Sequence, residues 1–147
     1  MAKAIKNYTS SVSPFVSIGE IQAALASHGA TKVMVEYDGG NPVVVTFALP
    51  DARYGFQCFR LPAGVDGTIR VFKSQGVKAD RMQAEKTAWR NIRDWVLAQL
   101  ALVESCDVPV DQVFFPYLSD NTGKTLYDSY VSGKLLPEGN TGGNKSI

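Results

Sequence analysis

From about Asp80 to Glu104 the sequence keeps a helical period for roughly two dozen residues, and this stretch most limits what the chain can fold into. At about 100° per residue, Ala84, Ala88, Trp89, Ile92, Trp95, Val96, Leu100 and Val103 fall on one broad arc. Lys86, Arg90 and Arg93 gather along one edge of that arc, and Thr87, Asn91 and Asp94 along the other. Asp80 is a good N-cap, because its carboxylate can accept from a free backbone N–H of the first turn. A helix with so wide an apolar arc needs a surface to cover. The residues before it supply one.

Residues 32–37 alternate, with Val33, Val35 and Tyr37 on one side and Lys32, Met34 and Glu36 on the other. Asp38-Gly39-Gly40-Asn41 reads as a turn, since glycine takes positive φ at little cost. Val43 to Leu49 is rich enough in β-branched residues to be a central strand. Pro50 to Arg53 turns the chain, and Tyr54 to Leu61 returns as a third strand. The expected fold is α+β: a three-stranded antiparallel meander packed by a long amphipathic helix, in the order α-β-β-β-α-α.

An earlier helix is expected over about Ile18 to His28, with Ser17 and Glu20 as a capping box and Val16 and Ile21 as its staple. Pro62 to Val77 holds a proline and three glycines and reads as a long connection with one turn of helix at most. Asp107 to Leu118 suggests a short third helix limited by Pro116, and Leu126, Tyr127 and Tyr130 could dock another short segment. The chain thus divides into an N-terminal arm (1–16), one α+β domain (17–118), an extension (119–136) and a polar tail (137–147) expected to be flexible.

The composition, 45% hydrophobic and 20% charged over 147 residues, belongs to an ordinary globular domain and excludes a disordered one. No apolar run reaches the ~20 residues of a membrane span, and the first residues lack the apolar centre of an export signal. A cytoplasmic protein with two unpaired cysteines, Cys58 and Cys106, is the expectation. The formal charge of +1 conceals an uneven distribution. Residues 60–93 carry eight basic and three acidic side chains, whereas the rest of the chain carries seven and eleven. A basic middle of this kind points towards a polyanionic partner.

Catalytic groups are sparse, and an enzyme is not expected. The one histidine, His28, lies at a predicted helix end, where a charged imidazole suits the dipole. One histidine and two distant cysteines do not have zinc-site spacing, and no cofactor is implied. Asn121 to Thr125 has the Gly-Lys-Thr end of a phosphate loop, but Leu118 stands where that loop needs glycine, so it reads as a polar turn. The aromatics carry more information. Tyr37, Phe47, Tyr54, Phe56 and Phe59 lie on the meander, and they either face the long helix as core or form an exposed stacking surface beside Arg60. The candidate nucleic-acid-binding residues are Tyr54, Phe56, Arg60, Arg70, Lys73, Lys78, Lys86, Arg90 and Arg93.

The run from Gln83 to Leu100, Gln-Ala-Glu-Lys-Thr-Ala-Trp-Arg-Asn-Ile-Arg-Asp-Trp-Val-Leu-Ala-Gln-Leu, followed by Val113-Phe114-Phe115-Pro116-Tyr117, resembles a family of short proteins encoded by bacteriophages and prophages. Tyr37-Asp38-Gly39-Gly40 and Arg60-Leu61-Pro62-Ala63 are similar to its strand-region markers. The resemblance covers about residues 28–118 and implies a host cytoplasm and a mobile-element role, with no activity attached. The helix–three strands–helix order is also similar to double-stranded-RNA-binding domains, though their basic cluster is diluted here to Lys78, Arg81 and Lys86. The β-β-β-α core looks like that of phage single-strand annealing proteins. These features together lead to the expectation of a phage accessory protein that binds nucleic acid, single-stranded DNA first, in replication or recombination. The alternative is a module that binds a host protein or sequesters a ligand, and self-association is open in either case.

Overall fold

The computed structural model describes residues 3–134; the expected tail, 137–147, lies outside the described residues. Helix α1 (Pro14–Ser27) precedes strands β1 (Lys32–Asp38), β2 (Asn41–Asp51) and β3 (Gly55–Pro62). Helices α2 (Val65–Ser74) and α3 (Arg81–Cys106) follow. The chain then makes a single turn of helix, α4 (Val110–Val113), a 3-10 turn (Phe115–Tyr117), a two-residue strand β4 (Leu118–Ser119) and α5 (Leu126–Val131).

The sheet is antiparallel in the order β1-β2-β3-β4, so the expected meander gains a fourth strand. Gly39 and Gly40, at φ 59° and 85°, make the two-residue turn that joins β1 to β2. Helices α1 to α4 lie on one face. Val45, Phe47, Phe59 and Leu61 point into them and meet Ile21, Leu25, Phe72, Trp89, Val96 and Phe114 in one core. Phe47 stacks on Phe59 at 5.1 Å and takes the edge of Phe114 at 5.2 Å, within the range that aromatic pairs prefer. Trp89 is fully buried and donates its indole N–H to the Pro42 carbonyl at 3.0 Å, which ties the long helix to the start of β2. Ile92, on the same arc, is only partly buried, at the margin of the core rather than within it.

Four expectations change. Helix α1 begins a turn earlier than expected, because Ser13 caps it and Pro14 fits the first helical position, where no backbone N–H is needed. Ser17 therefore lies inside the helix, fully buried, and Glu20 faces α3; neither is a cap. A capping box does form, at Thr125 and Asp128. The 62–77 stretch is not a loop but contains α2, whose Val65, Thr68 and Phe72 share one buried face. The glycines around that face hid it, Gly67 alone costing about 1 kcal/mol against alanine inside a helix. The 107–118 stretch breaks into three elements. Asp107 at φ 55° stops α3, and Pro116 tightens the next turn so that Leu118 and Ser119 leave extended and pair with Phe59 and Cys58.

The arm is well fixed where it is described. Asn7 donates its amide to Asn91 and Asp94, Thr87 donates its hydroxyl to the Asn7 carbonyl, and Gln83 donates to the carbonyls of Tyr8 and Ser10. Thr87, Asn91 and Asp94 are the residues that lined the edge of α3 opposite its basic one in the sequence. Burial alone would raise the Asp94 pKa, but the Asn7 amide, the Lys6 ammonium and the Arg93 guanidinium outweigh it and hold the carboxyl at about 2. Because the folded value lies below the unfolded one, this stabilisation is complete above about pH 4 and is lost as pH falls through 2. Asp94 should contribute about 1–2 kcal/mol after solvent screening. Urea unfolding at neutral pH and at the acid end should show it as a drop that Asp94→Asn largely abolishes; equal acid sensitivity in the variant would refute the assignment.

Candidate binding surface

The face of the sheet opposite the helices is built from the other half of each strand's alternation. Lys32, Met34 and Glu36 come from β1, Thr46 and Ala48 from β2, and Phe56, Cys58 and Arg60 from β3. Met34 and Phe56 are more than half exposed, and Tyr54, in the turn before β3, is 68% exposed. The aromatics of the meander are therefore divided. Phe47 and Phe59 are core, while Tyr54 and Phe56 are a surface feature. The Lys32 ammonium lies 5.3 Å from the centre of the Phe56 ring, and the Arg53 guanidinium 5.4 Å from that of Tyr54.

Asp51 shapes the turn that presents Tyr54. Its carboxylate accepts the backbone N–H groups of Arg53 at 2.7 Å and Tyr54 at 3.2 Å, and it also pairs with the Arg53 side chain. Arg53's side-chain hydrogen bond, followed by its backbone one, lowers the Asp51 pKa. On the far side of β3 the chain returns as β4 and then as the 120–125 turn. Asp120 accepts the backbone N–H groups of Thr122 and Lys124, so the Gly-Lys-Thr stretch is a polar turn. Between that turn and β3 lies an open cleft of about 640 Å³, lined among others by Tyr54, Phe56, Cys58, Ser119, Lys124 and Leu126. Gly123, at φ 86°, backs onto the Arg60 side chain; a Cβ there would sit 3.6 Å from Nε. Sequence reasoning missed Lys32 and Lys124 as companions of the aromatics. The alternation of β1 could have found Lys32, but nothing local brings Lys124 to β3.

The nine sequence-derived candidates do not form one surface. Tyr54, Phe56 and Arg60 share the open face, with Arg60 held 3.3 Å from Glu36. Arg90 and Arg93 turn the other way, into the joint between α1 and α3. Glu20 accepts from both, Arg93 Nε at 2.7 Å and Arg90 Nη1 at 3.1 Å, and the Arg93 bond is the largest cause of the lowered Glu20 pKa. Arg90 is 18% exposed, so neither its charge nor its donors are free for a phosphate. Arg70 and Lys73 lie on the outer side of α2, with Lys78 just beyond it and Lys86 half-buried on α3. The ion pairs of the described residues leave out these four.

No family model matches the chain, and neither the curated proteins nor the solved structures yield a match. The surface must speak for itself.

It presents two exposed rings, Tyr54 and Phe56, each with a cation beside it. Among the described residues no cluster of three His, Cys, Asp or Glu side chains could hold a metal ion, and no helix is long and apolar enough to cross a membrane. His28 caps α1, accepted by the Ala24 carbonyl at 2.9 Å and by Glu104 at 2.7 Å. The Ala24 bond and then the Glu104 bond raise its pKa, against the effect of burial. Its role is to join the ends of α1 and α3.

Proposed function

We propose that this chain is a non-catalytic accessory protein of phage type that holds single-stranded nucleic acid, DNA foremost, on the open face of its sheet. The observation carrying the reading is the exposure of Tyr54 and Phe56 beside Lys32 on the face opposite α1 to α3. Single strands are held by ring faces on which bases stack, with cations tracking the backbone, and no base-specific hydrogen bond is needed. The footprint comprises Tyr54, Phe56, Lys32, Arg60 and Lys124. Arg90 and Arg93 belong to the helix joint, and Arg70, Lys73, Lys78 and Lys86 lie in the helical layer.

One observation favours a second reading, a protein partner. Arg60 and Arg53 beside the rings already have carboxylate partners, which leaves the patch apolar and close to neutral. Fluorescence anisotropy with a labelled oligothymidine separates the two. Single-strand binding should weaken by about 1–3 kcal/mol in Phe56→Ala and again in Tyr54→Ala, with less effect on duplex. Its salt dependence should be shallow, a log–log slope of about −0.7 per phosphate contacted over few contacts. Absence of binding at low salt, or binding that ignores both rings, would refute the nucleic-acid reading.

A further inference from the structure

Among the described residues strand β1 pairs with β2 alone, which leaves its other side as an edge. Which peptide groups point outward follows from the ladder. The Ala63 N–H donates to the Val43 carbonyl, and Val43, Val45 and Phe47 are therefore the β2 residues bonded towards β3. Val44, Thr46 and Ala48 then bond towards β1, to Glu36, Met34 and Lys32. The N–H and C=O groups of Val33 and Val35 are left facing out along the edge. The register shifts between Glu36 and Tyr37, so the regular part of this edge is Lys32 to Glu36.

That stretch, Lys-Val-Met-Val-Glu, is complementary to itself when run antiparallel. With Met34 on a twofold axis, Val33 faces Val35 of the second copy as a hydrogen-bonded pair on the helix side. Lys32 faces Glu36 of the second copy on the open face, in the closely spaced geometry of a non-hydrogen-bonded pair. Met34, 57% exposed, meets its own counterpart. Val33 and Val35, only partly buried at the margin of the core, gain apolar neighbours. Edge strands that must stay single are usually interrupted by a central charge or proline; here the charges flank an apolar centre, with opposite signs at its two ends. We propose that the chain forms a twofold dimer through β1, making one continuous sheet with the two open faces side by side. Lys32 is exposed and can swing from the Phe56 ring to reach Glu36 of the second copy.

The proposal does not rest on what the open face binds, although Lys32 takes part in both. It is tested without ligand, by sedimentation equilibrium of the full chain over a range of concentrations. The wild type should reach twice the chain mass of 15.9 kDa. Lys32→Glu and Glu36→Lys should each raise the dissociation constant at least about tenfold, since each sets like charges opposite one another. The two single variants mixed in equal amounts should recover the dimer as a heterodimer, and so should the double variant alone. Val35→Pro removes an outward N–H without touching the β2 ladder and should be monomeric; circular dichroism melts establish that each variant is folded. A wild type that stays at monomer mass overturns the proposal and leaves the edge free for a foreign strand. A dimer insensitive to both charge reversals places the interface elsewhere and overturns it equally.

Discussion

Trp89→Ala is expected to destabilise the fold by about 3–5 kcal/mol, a large part of the stability of a domain this size. The indole is fully buried among residues of α1, the sheet and α3, so its removal takes away transfer energy and leaves a cavity that backbone on both sides resists closing. A second cost adds to the first. The Pro42 carbonyl loses its donor where β2 begins. Trp89→Phe separates the two, because it keeps most of the volume and loses the hydrogen bond, and it should recover more than half of the loss. Chemical denaturation of the three proteins measures the difference. A Trp89→Ala loss below 1 kcal/mol would mean that the helix does not pack on the sheet through this residue.

Removing residues 1–10 should cost roughly 3–5 kcal/mol, although residues 3–10 lie outside every strand and helix. The arm makes seven hydrogen bonds to the rest of the fold, from Ile5, Lys6, Asn7, Tyr8 and Ser10 to Gln75, Gln83, Thr87, Asn91 and Asp94. The seven bonds, at about 0.5–1.5 kcal/mol net apiece, act together with the burial of α3 beneath the arm. They act against about 1–2 kcal/mol per residue for ordering its backbone, and truncation removes the surplus. Thr87, wholly buried beneath the arm, would be opened to water along with the side of α3 around it. Asn7→Ala should account for a substantial part alone, since its amide serves two acceptors and its carbonyl takes the Thr87 hydroxyl. A truncated protein with unchanged thermal midpoint would refute the docking.

The features that were legible in the sequence are those governed by local periodicity. The arc from Ala84 to Leu100 gave α3 to within two residues of its end; alternation gave β1 and β3 with the residues on each face up to the register shift at Tyr37, and β-branching gave β2. Elements set by distant partners were not legible. Leu118 and Ser119 become a strand only because Phe59 and Cys58 have a free edge beside them, and two residues carry no period. Helix α2 has the right spacing, but its glycines argue locally against it, and only the core beneath Phe72 outweighs them. At the surface, sequence could place Tyr54, Phe56 and Arg60 together by alternation. It could not know that Arg90 and Arg93 were committed, because their partner, Glu20, stands about 70 residues away and had every local mark of a helix cap.

The two borders of the sheet are unequal, and this limits how the protein can assemble. Among the described residues β1 runs seven residues with one side unpaired, while β4 is two residues long and continues into a turn and α5. A molecule with two long bare borders could add copies at both ends without limit and grow into a fibre. With one such border, pairing across a twofold axis consumes it in both molecules. The assembly then closes at two, and the open faces of both copies lie on the same side of a single finite sheet.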